Sequence, residues 1–285
     1  MHLAIISDIH GNLPALEAAL AAIEQTDAEQ VWCLGDVVGY GAQPDECSKL
    51  VSERCALSLV GNHDLAVLGE IEVSAFSPSA ADAVRWTRKQ AAPETLEYLR
   101  GLEPADESRE VGLYHASPRD PVWEYVLWID QAEECMALQS GRVSLIGHSH
   151  VALFFVGPDG DAGERGAVPA TAGAGAKADP GKGRDEPSAA DVAEAARARA
   201  DSGGTRGSHA EAETRLEIGE GRWLINPGSV GQPRDGEPAA SFLVLDTDRQ
   251  TCRWERVGYD IGAVQAAMAE RSLPPGLVVR LAFGL

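Results

Sequence analysis

The sequence predicts an α/β fold. Over the first 150 residues, short apolar runs alternate with helix-period patterns, prolines open several of those patterns, and glycine-rich polar clusters follow the apolar runs. Residues 2–7 read as a buried strand. Residues 13–25 follow with Leu13, Leu16, Leu20 and Ile23 at helical spacing. Residues 31–34 form a second strand, 44–54 a helix and 56–60 a third strand. This βαβαβ order predicts a mostly parallel sheet flanked by helices. Two more helices are expected at 78–90 and 93–100, each opened by proline in its first turn. Strands follow at 111–115 and 143–147, with a helix at 130–139 between them. The remainder reads as β-rich, with strands at 151–156, 214–218, 222–226, 241–245 and 251–257. The turn at 219–221 predicts a hairpin between two of these. A final helix is expected at 261–271.

The chain of 285 residues suits a single domain, 1–285, able to bury a core without disulfides. One stretch departs from this. Residues 158–210 hold ten Gly and fifteen Ala, with no aromatic, Leu or Ile. Such a segment buries too little apolar area to offset its ordering entropy, so a flexible insertion is expected there. His209, at its end, reads as inert. The five cysteines are scattered, which fits free thiols in a reducing cytoplasm. No apolar run approaches a membrane span, and residues 1–10 lack the features of a leader. The formal net charge of −20 repels polyphosphate chains and counts against nucleic-acid binding, but leaves room for a small phosphorylated partner.

The chemistry lies in short polar clusters, each after an expected strand: Asp8-Ile9-His10, Gly35-Asp36, Gly61-Asn62-His63-Asp64, His115 and Gly147-His148-Ser149-His150. Residues two apart on an extended segment point the same way, so Asp8 and His10 are expected to converge, and likewise His148 and His150. Loops at the carboxyl ends of parallel strands meet on one sheet edge. Gly11, Gly35, Gly61 and Gly147 allow tight turns and close backbone approach. Mixed carboxylate, imidazole and amide donors suit divalent transition metals, and the absence of cysteine argues against structural zinc. With His63 set aside, two Asp, one Asn and four His exceed the needs of one ion. Two ions sharing a carboxylate account for them.

In this order, SDIHGN, GDVVGYG, GNHD, a lone histidine and GHSH resemble the motifs of calcineurin-like metallophosphoesterases. NPGSVGQPRDG at 226–236 resembles the closing loop of the small single-domain bacterial and archaeal members. The resemblance implies a four-layer α/β/β/α sandwich. It implies that Asp8, His10 and His150 hold one metal, that Asn62, His115 and His148 hold the other, and that Asp36 bridges them. It also implies that His63 faces the leaving group and that Asp64 orients it. Two divalent ions are then expected, with Mn²⁺ first and Fe, Co, Ni or Zn admitted. Roughly 3.5–4 Å apart, they would activate a bridging hydroxide for in-line displacement.

Arg119 and Arg234 are candidates to clamp a phosphate; the competing reading pairs them with Asp120 and Asp235 at the surface. Tyr40 reads as a pocket wall or a packed aromatic, Trp123, Tyr125 and Trp128 as core or rim, and His2 as structural. The expected activity is hydrolysis of a small phosphomonoester or phosphodiester, with the diester first. The alternatives are a phosphoprotein or diadenosine-polyphosphate phosphatase, or a non-catalytic scaffold. The complete set of motif histidines counts against the scaffold.

Overall fold

The computed structural model describes residues 1–158, 200–202 and 204–285. Two mixed sheets form its centre. The first has the strand order β10-β13-β12-β1-β2-β3, with β1 at His2–Ile6, β2 at Gln30–Cys33, β3 at Leu57–Ser58, β10 at Arg215–Glu217, β12 at Ala240–Asp246 and β13 at Thr251–Val257. The second has the order β4-β5-β6-β11-β7-β9-β8. Its strands are Ala105–Asp106, Val111–Tyr114, Val143–Leu145, Trp223–Pro227, Ala152–Val156, Thr205–His209 and Ala200–Ser202, in that order across the sheet. Parallel pairing is confined to β1-β2-β3 and to β5-β6-β11. The other described strand pairs are antiparallel, so the parallel sheet expected from the βαβαβ order is present as β1-β2-β3 and the sheets as wholes are mixed.

The period-two alternation of the strands sorts the core into layers. Leu3 and Ile5 of β1 pack with Leu113, Leu145, Trp223, Ile225 and Trp254 between the two sheets. Ala4 and Ile6 face the other way, onto Leu16, Leu20 and Ile23 of α1 (Leu13–Ile23) and Val51 of α2 (Pro44–Arg54). Leu224 of β11 faces outward onto Ala132 and Met136 of α6 (Ile129–Leu138). Helices, sheet, sheet and helix follow in that order, giving the four-layer α/β/β/α sandwich. The two C-terminal helices, Ile261–Glu270 and Pro275–Arg280, pack Val264, Met268 and Leu277 against Tyr40, Ala80 and Ala83.

Three expectations change. The 219–221 turn does not close a hairpin, because β10 pairs with β13 in the first sheet while β11 lies between β6 and β7 in the second. The turn crosses from sheet to sheet, and each flanking strand finds its apolar partners elsewhere. The insertion also ends earlier than 210. Ala200–Ser202 and Thr205–His209 extend the second sheet, with Leu153 opposite His209. The rest of that expectation, at 159–199 and 203, falls outside the described residues. Finally, GNHD is not a loop. Asn62–Leu68 is a helix, α3, whose first turn carries Asn62, His63 and Asp64.

Candidate metal centre

Six loops build the site, one after each parallel strand: three from the first sheet (after β1, β2 and β3) and three from the second (after β5, β6 and β11). The backbone does not run extended through them. Asp8, His10, Asp36, His148 and His150 all have positive φ, between 51° and 62°. The convergence of Asp8 with His10 and of His148 with His150 therefore comes from left-handed turns, not from the two-residue period of a strand. Each such residue costs about 1–3 kcal/mol and persists only where its surroundings over-determine it. Here they do. Asp8 and His10 donate their N–H groups to the carbonyls of Gly35 and Asp36, and the Asp8 carbonyl accepts from Gly231 N–H and from the Ser229 hydroxyl. Gly147 N–H donates to the His115 carbonyl, and Arg234 N–H to the His150 carbonyl.

The packing leaves room for nothing larger than glycine at several points, Gly61 and Gly147 among them. A Cβ on Gly61 would sit 2.0 Å from Asp36 Oδ1, and one on Gly147 would sit 2.2 Å from Ser7 Oγ. The first of these allows the His63 N–H, at the start of α3, to reach Asp36 Oδ1 at 2.9 Å.

Each of four histidines has one ring nitrogen against a main-chain carbonyl: His10 Nδ1 at 3.2 Å from Val38, His115 Nδ1 at 2.9 Å from Leu34, His150 Nδ1 at 2.7 Å from Gln232, and His148 Nε2 at 3.1 Å from Trp123. A carbonyl only accepts, so these nitrogens carry the proton and the other nitrogen of each ring presents a lone pair. Burial pushes the proton affinity of His10, His148 and His150 far down and that of His115 to about 4, so all four rings are neutral at pH 7.

The lone pairs face acceptors. His10 Nε2 lies 3.0 Å from His150 Nε2, and His115 Nε2 lies 3.2 Å from Asn62 Oδ1. Asp36 Oδ2 is 3.6 Å from His10 Nε2 and 3.7 Å from His115 Nε2; Asp8 Oδ1 is 3.5 Å from His150 Nε2. Neither carboxylate oxygen accepts a hydrogen bond, and both are buried. Burial raises Asp8 to about 7 and Asp36 well above the usual carboxylate range, with the charges of Asp64 and Asp8 adding to the latter.

Buried oxygens and lone-paired nitrogens crowded at one point are what a cation resolves. The ligand atoms fall into two groups that could each hold an ion, Asp8 with His10, Asp36 and His150, and Asp36 with His115 and His148. Within each group they lie within 4.8 Å of one another. Asp36 belongs to both, and Asn62 stands beside the second.

The remaining candidates divide. His63 is buried; its ring packs 4.9 Å from that of His10, 4.2 Å from Tyr40 and 4.9 Å from Phe76. Asp64 has a structural task of its own. Neighbouring residues on a helix face different ways, and the Asp64 oxygens accept from the N–H groups of Val37, Val38 and Gly61. That carboxylate therefore holds the Asp36 loop against α3.

Arg119 is committed elsewhere. Its guanidinium pairs with Glu124 and Glu134, not with Asp120. Arg234 is 5% exposed and so does not lie at the surface, and Asp235 pairs with Arg256. The Arg234 charge is felt by Asp8, His10, His148 and His150, and its Nη2 donates to the Tyr40 hydroxyl at 3.2 Å. Tyr125 stacks on His148 at 4.1 Å, and Phe76 packs against Trp123 at 5.0 Å, so the aromatics after His115 belong to the rim. Gln232 and Arg280 also stand at the site; Gln232 lies within the NPGSVGQPRDG motif but was not singled out, and Arg280 carried no signal in the sequence. Gln232 is one polar residue in a glycine loop, and Arg280 ends a six-residue helix far along the chain.

The comparisons agree with this geometry. The profile of the calcineurin-like phosphoesterase superfamily domain matches residues 1–167. An uncharacterised protein of Methanocaldococcus jannaschii is 33% identical over 288 residues, spanning 99% of this chain and 98% of its own. The crystal structure of a metallophosphoesterase from Sphaerobacter thermophilus superposes with a TM-score of 0.77 at 33% identity, covering 100% of this chain and 99% of that one. A hypothetical protein of Pyrococcus horikoshii OT3 shares the fold, with a TM-score of 0.65 at 18% identity and coverage of 100% and 98%. The chain belongs to the calcineurin-like phosphoesterase superfamily. It is a phosphoester hydrolase of a metal-dependent family. Among the described residues, no helix is long and apolar enough to cross a membrane.

Proposed function

We propose that the chain hydrolyses a small phosphodiester with two divalent cations, Mn²⁺ first, with Fe, Co, Ni or Zn as substitutes. Asp8, His10 and His150 would hold one ion, Asn62, His115 and His148 the other, and Asp36 both. The observation that carries this reading is the pair of buried carboxylate oxygens, Asp8 Oδ1 and Asp36 Oδ2, set among lone-paired imidazole nitrogens with no hydrogen bond of their own. The ions would supply Lewis acidity and a water of lowered pKa for in-line displacement.

The chain's own groups do the rest. The four main-chain carbonyls hold the imidazole tautomers. Arg234, with its charge directed at the ligand cluster, would orient the phosphoryl group, and a single guanidinium suits the single charge of a diester. His63 would give a proton to the departing alkoxide.

The test uses metal-stripped protein with Mn²⁺ restored, assayed on p-nitrophenyl phosphate and bis-p-nitrophenyl phosphate. Metal-dependent turnover favouring the diester supports the reading. Monoester preference makes the protein a phosphatase. His63→Ala should lose about 10²- to 10⁴-fold in kcat on the preferred ester and still bind two ions. Undiminished kcat in that variant would remove His63 from the mechanism.

A further inference from the structure

Among the described residues β10 (Arg215–Glu217) ends the first sheet, and its pairing is with β13, antiparallel. The parity of that pairing decides which main-chain groups face the open side. Ile218 N–H donates to the Gln250 carbonyl, and Trp254 N–H to the Thr214 carbonyl. Bonding residues alternate in an antiparallel ladder, so Thr214, Leu216 and Ile218 turn their N–H and C=O groups toward β13. Arg215 and Glu217 turn theirs outward, along the free edge. Side chains alternate as well. Leu216 is buried between the two sheets, while Arg215 and Glu217 are exposed on the outer face.

Arg-Leu-Glu is its own complement when two copies run antiparallel. With a two-fold axis through Leu216, Arg215 of each copy stands opposite Glu217 of the other. These are the residues whose main-chain groups face outward, so both pairs are of the hydrogen-bonded kind. The axis itself passes through Leu216 against Leu216, on the face that already continues the core. The neighbouring registers of the same parity set Arg215 against Arg215 or Glu217 against Glu217, and like charges directly opposite are unfavourable. One register therefore satisfies main chain and charge together.

The flanking strand adds to this. Opposite Arg215 on β13 stands Arg253, whose Nε lies 2.5 Å from Glu255 Oε1 on its own strand. In the paired arrangement Glu217 of the second copy would sit on the other side of Arg215 and set a carboxylate beside this like-charged pair. A cavity of about 320 Å³, lined by Arg215, Glu217, Thr251 and Arg253 among others, leaves room for these side chains on the outer face.

We infer that β10 is a homodimer interface, at which two copies join their six-stranded sheets into one continuous sheet across a two-fold axis. The occupant is a second copy because the charge pattern of the strand complements itself. The net charge of −20 opposes association at long range. At about 0.15 M salt, however, the Debye length is about 8 Å, so distant repulsion is screened more than the contacts are. A pairing this short belongs to the weak, transient class, with a dissociation constant of roughly 10⁻⁵ to 10⁻⁴ M. Assembly is independent of the phosphoesterase chemistry, since the six loops of the metal centre follow other strands.

Sedimentation equilibrium on the full chain at about 0.15 M salt, from about 1 μM to 1 mM protein, measures the association directly. Wild type should pass from monomer to dimer across that range. Arg215→Glu and Glu217→Arg each put like charges at both ends of the pairing, and each should raise the dissociation constant at least about tenfold. The double variant, Arg215→Glu with Glu217→Arg, restores opposite charges and should return to within about threefold of wild type. The melting temperature of each variant reports folding.

A wild type that stays monomeric at about 1 mM overturns the inference. A dimer that neither single substitution weakens also overturns it, because the contact then lies on another face. So does a double variant no tighter than the singles, which would remove the Arg215–Glu217 register on which the pairing stands.

Discussion

At the ligand cluster, five side chains stand on left-handed backbone, and four imidazoles are fixed by main-chain carbonyls. At the rim beside it, Arg234 and Arg280 are placed by side-chain contacts to Gln232 and Tyr40, and one of them sits on a helix from the far end of the chain. The cluster is pre-organised at a cost in backbone strain and desolvation, so its donors cannot relax to satisfy one another. The rim is adjustable, since a guanidinium on a long stem can move to a ligand without moving the loops. The difference separates two tasks. On the proposed reading, rigid donors would fix the chemistry and the cations beside them would meet what is delivered to it.

The largest expected effect strikes the cluster at the one residue common to both ligand groups. Asp36→Asn keeps the size and the acceptor for the His63 N–H but replaces one carboxylate oxygen with an amide. kcat should fall by about 10³-fold or more, roughly 4 kcal/mol in the barrier. Bound metal, measured by elemental analysis after gel filtration, should drop below two ions per chain. Two ions retained with kcat near wild type would mean that Asp36 is an ordinary buried carboxylate, and the contrast between rigid cluster and adaptable rim would lose its basis.

How much of this was legible in the sequence follows from the same contrast. Every cluster residue lies in a short segment whose neighbours in the chain carry the information: a glycine where Asp36 needs close approach, and an Asp or His directly after a strand. The fold class and the helices Pro44–Arg54, Pro78–Gln90 and Pro93–Arg100 were equally local, each opened by its proline. What failed was non-local. The 219–221 turn had hairpin chemistry, yet the partners of β10 and β11 lie in different sheets. Thr205–His209 has almost no apolar content, yet pairing with β7 makes it a strand. Arg280 and Gln232 meet across 48 residues through one hydrogen bond, for which a single sequence holds no trace.

A middle-sized effect should appear in stability, and only without metal. Burial raises Asp8 to about 7, Asp64 to about 6 and Asp36 further, while the same groups in the unfolded chain titrate near 3.9. The metal-free fold therefore binds protons on these carboxyls that the unfolded chain has already lost, and its stability falls as pH rises through their folded values. Below about pH 6.5 the lowered histidines act in the opposite sense, because the unfolded chain protonates imidazoles that the fold keeps neutral. The window in which the carboxylates dominate is thus about pH 7 to 8. Across it the melting temperature of metal-free protein should decline, and that of Mn²⁺-loaded protein should hold, since bound cations keep Asp8 and Asp36 ionised. Parallel curves with and without metal would show that the buried carboxylates find their counter-charge in the protein.

The smallest effect on catalysis is expected at Arg119, which sharpens the comparison by giving the rim a boundary. Its guanidinium pairs with Glu124 and Glu134. Glu124 is 7% exposed and also accepts from the Ser117 hydroxyl and the Cys135 thiol. Arg119→Ala leaves that buried carboxylate without its cation, at a cost of about 1–3 kcal/mol, and the melting temperature should fall by several degrees. The Glu124 segment also carries the Trp123 carbonyl that fixes His148. A modest loss of catalysis, within about threefold in kcat/KM, is therefore expected to follow the loss of packing. A loss in kcat/KM beyond tenfold with an unchanged melting temperature would instead place Arg119 on the substrate. The cationic rim would then reach around to the Trp123 side of the metal centre and would not be confined to Tyr40 and its two arginines.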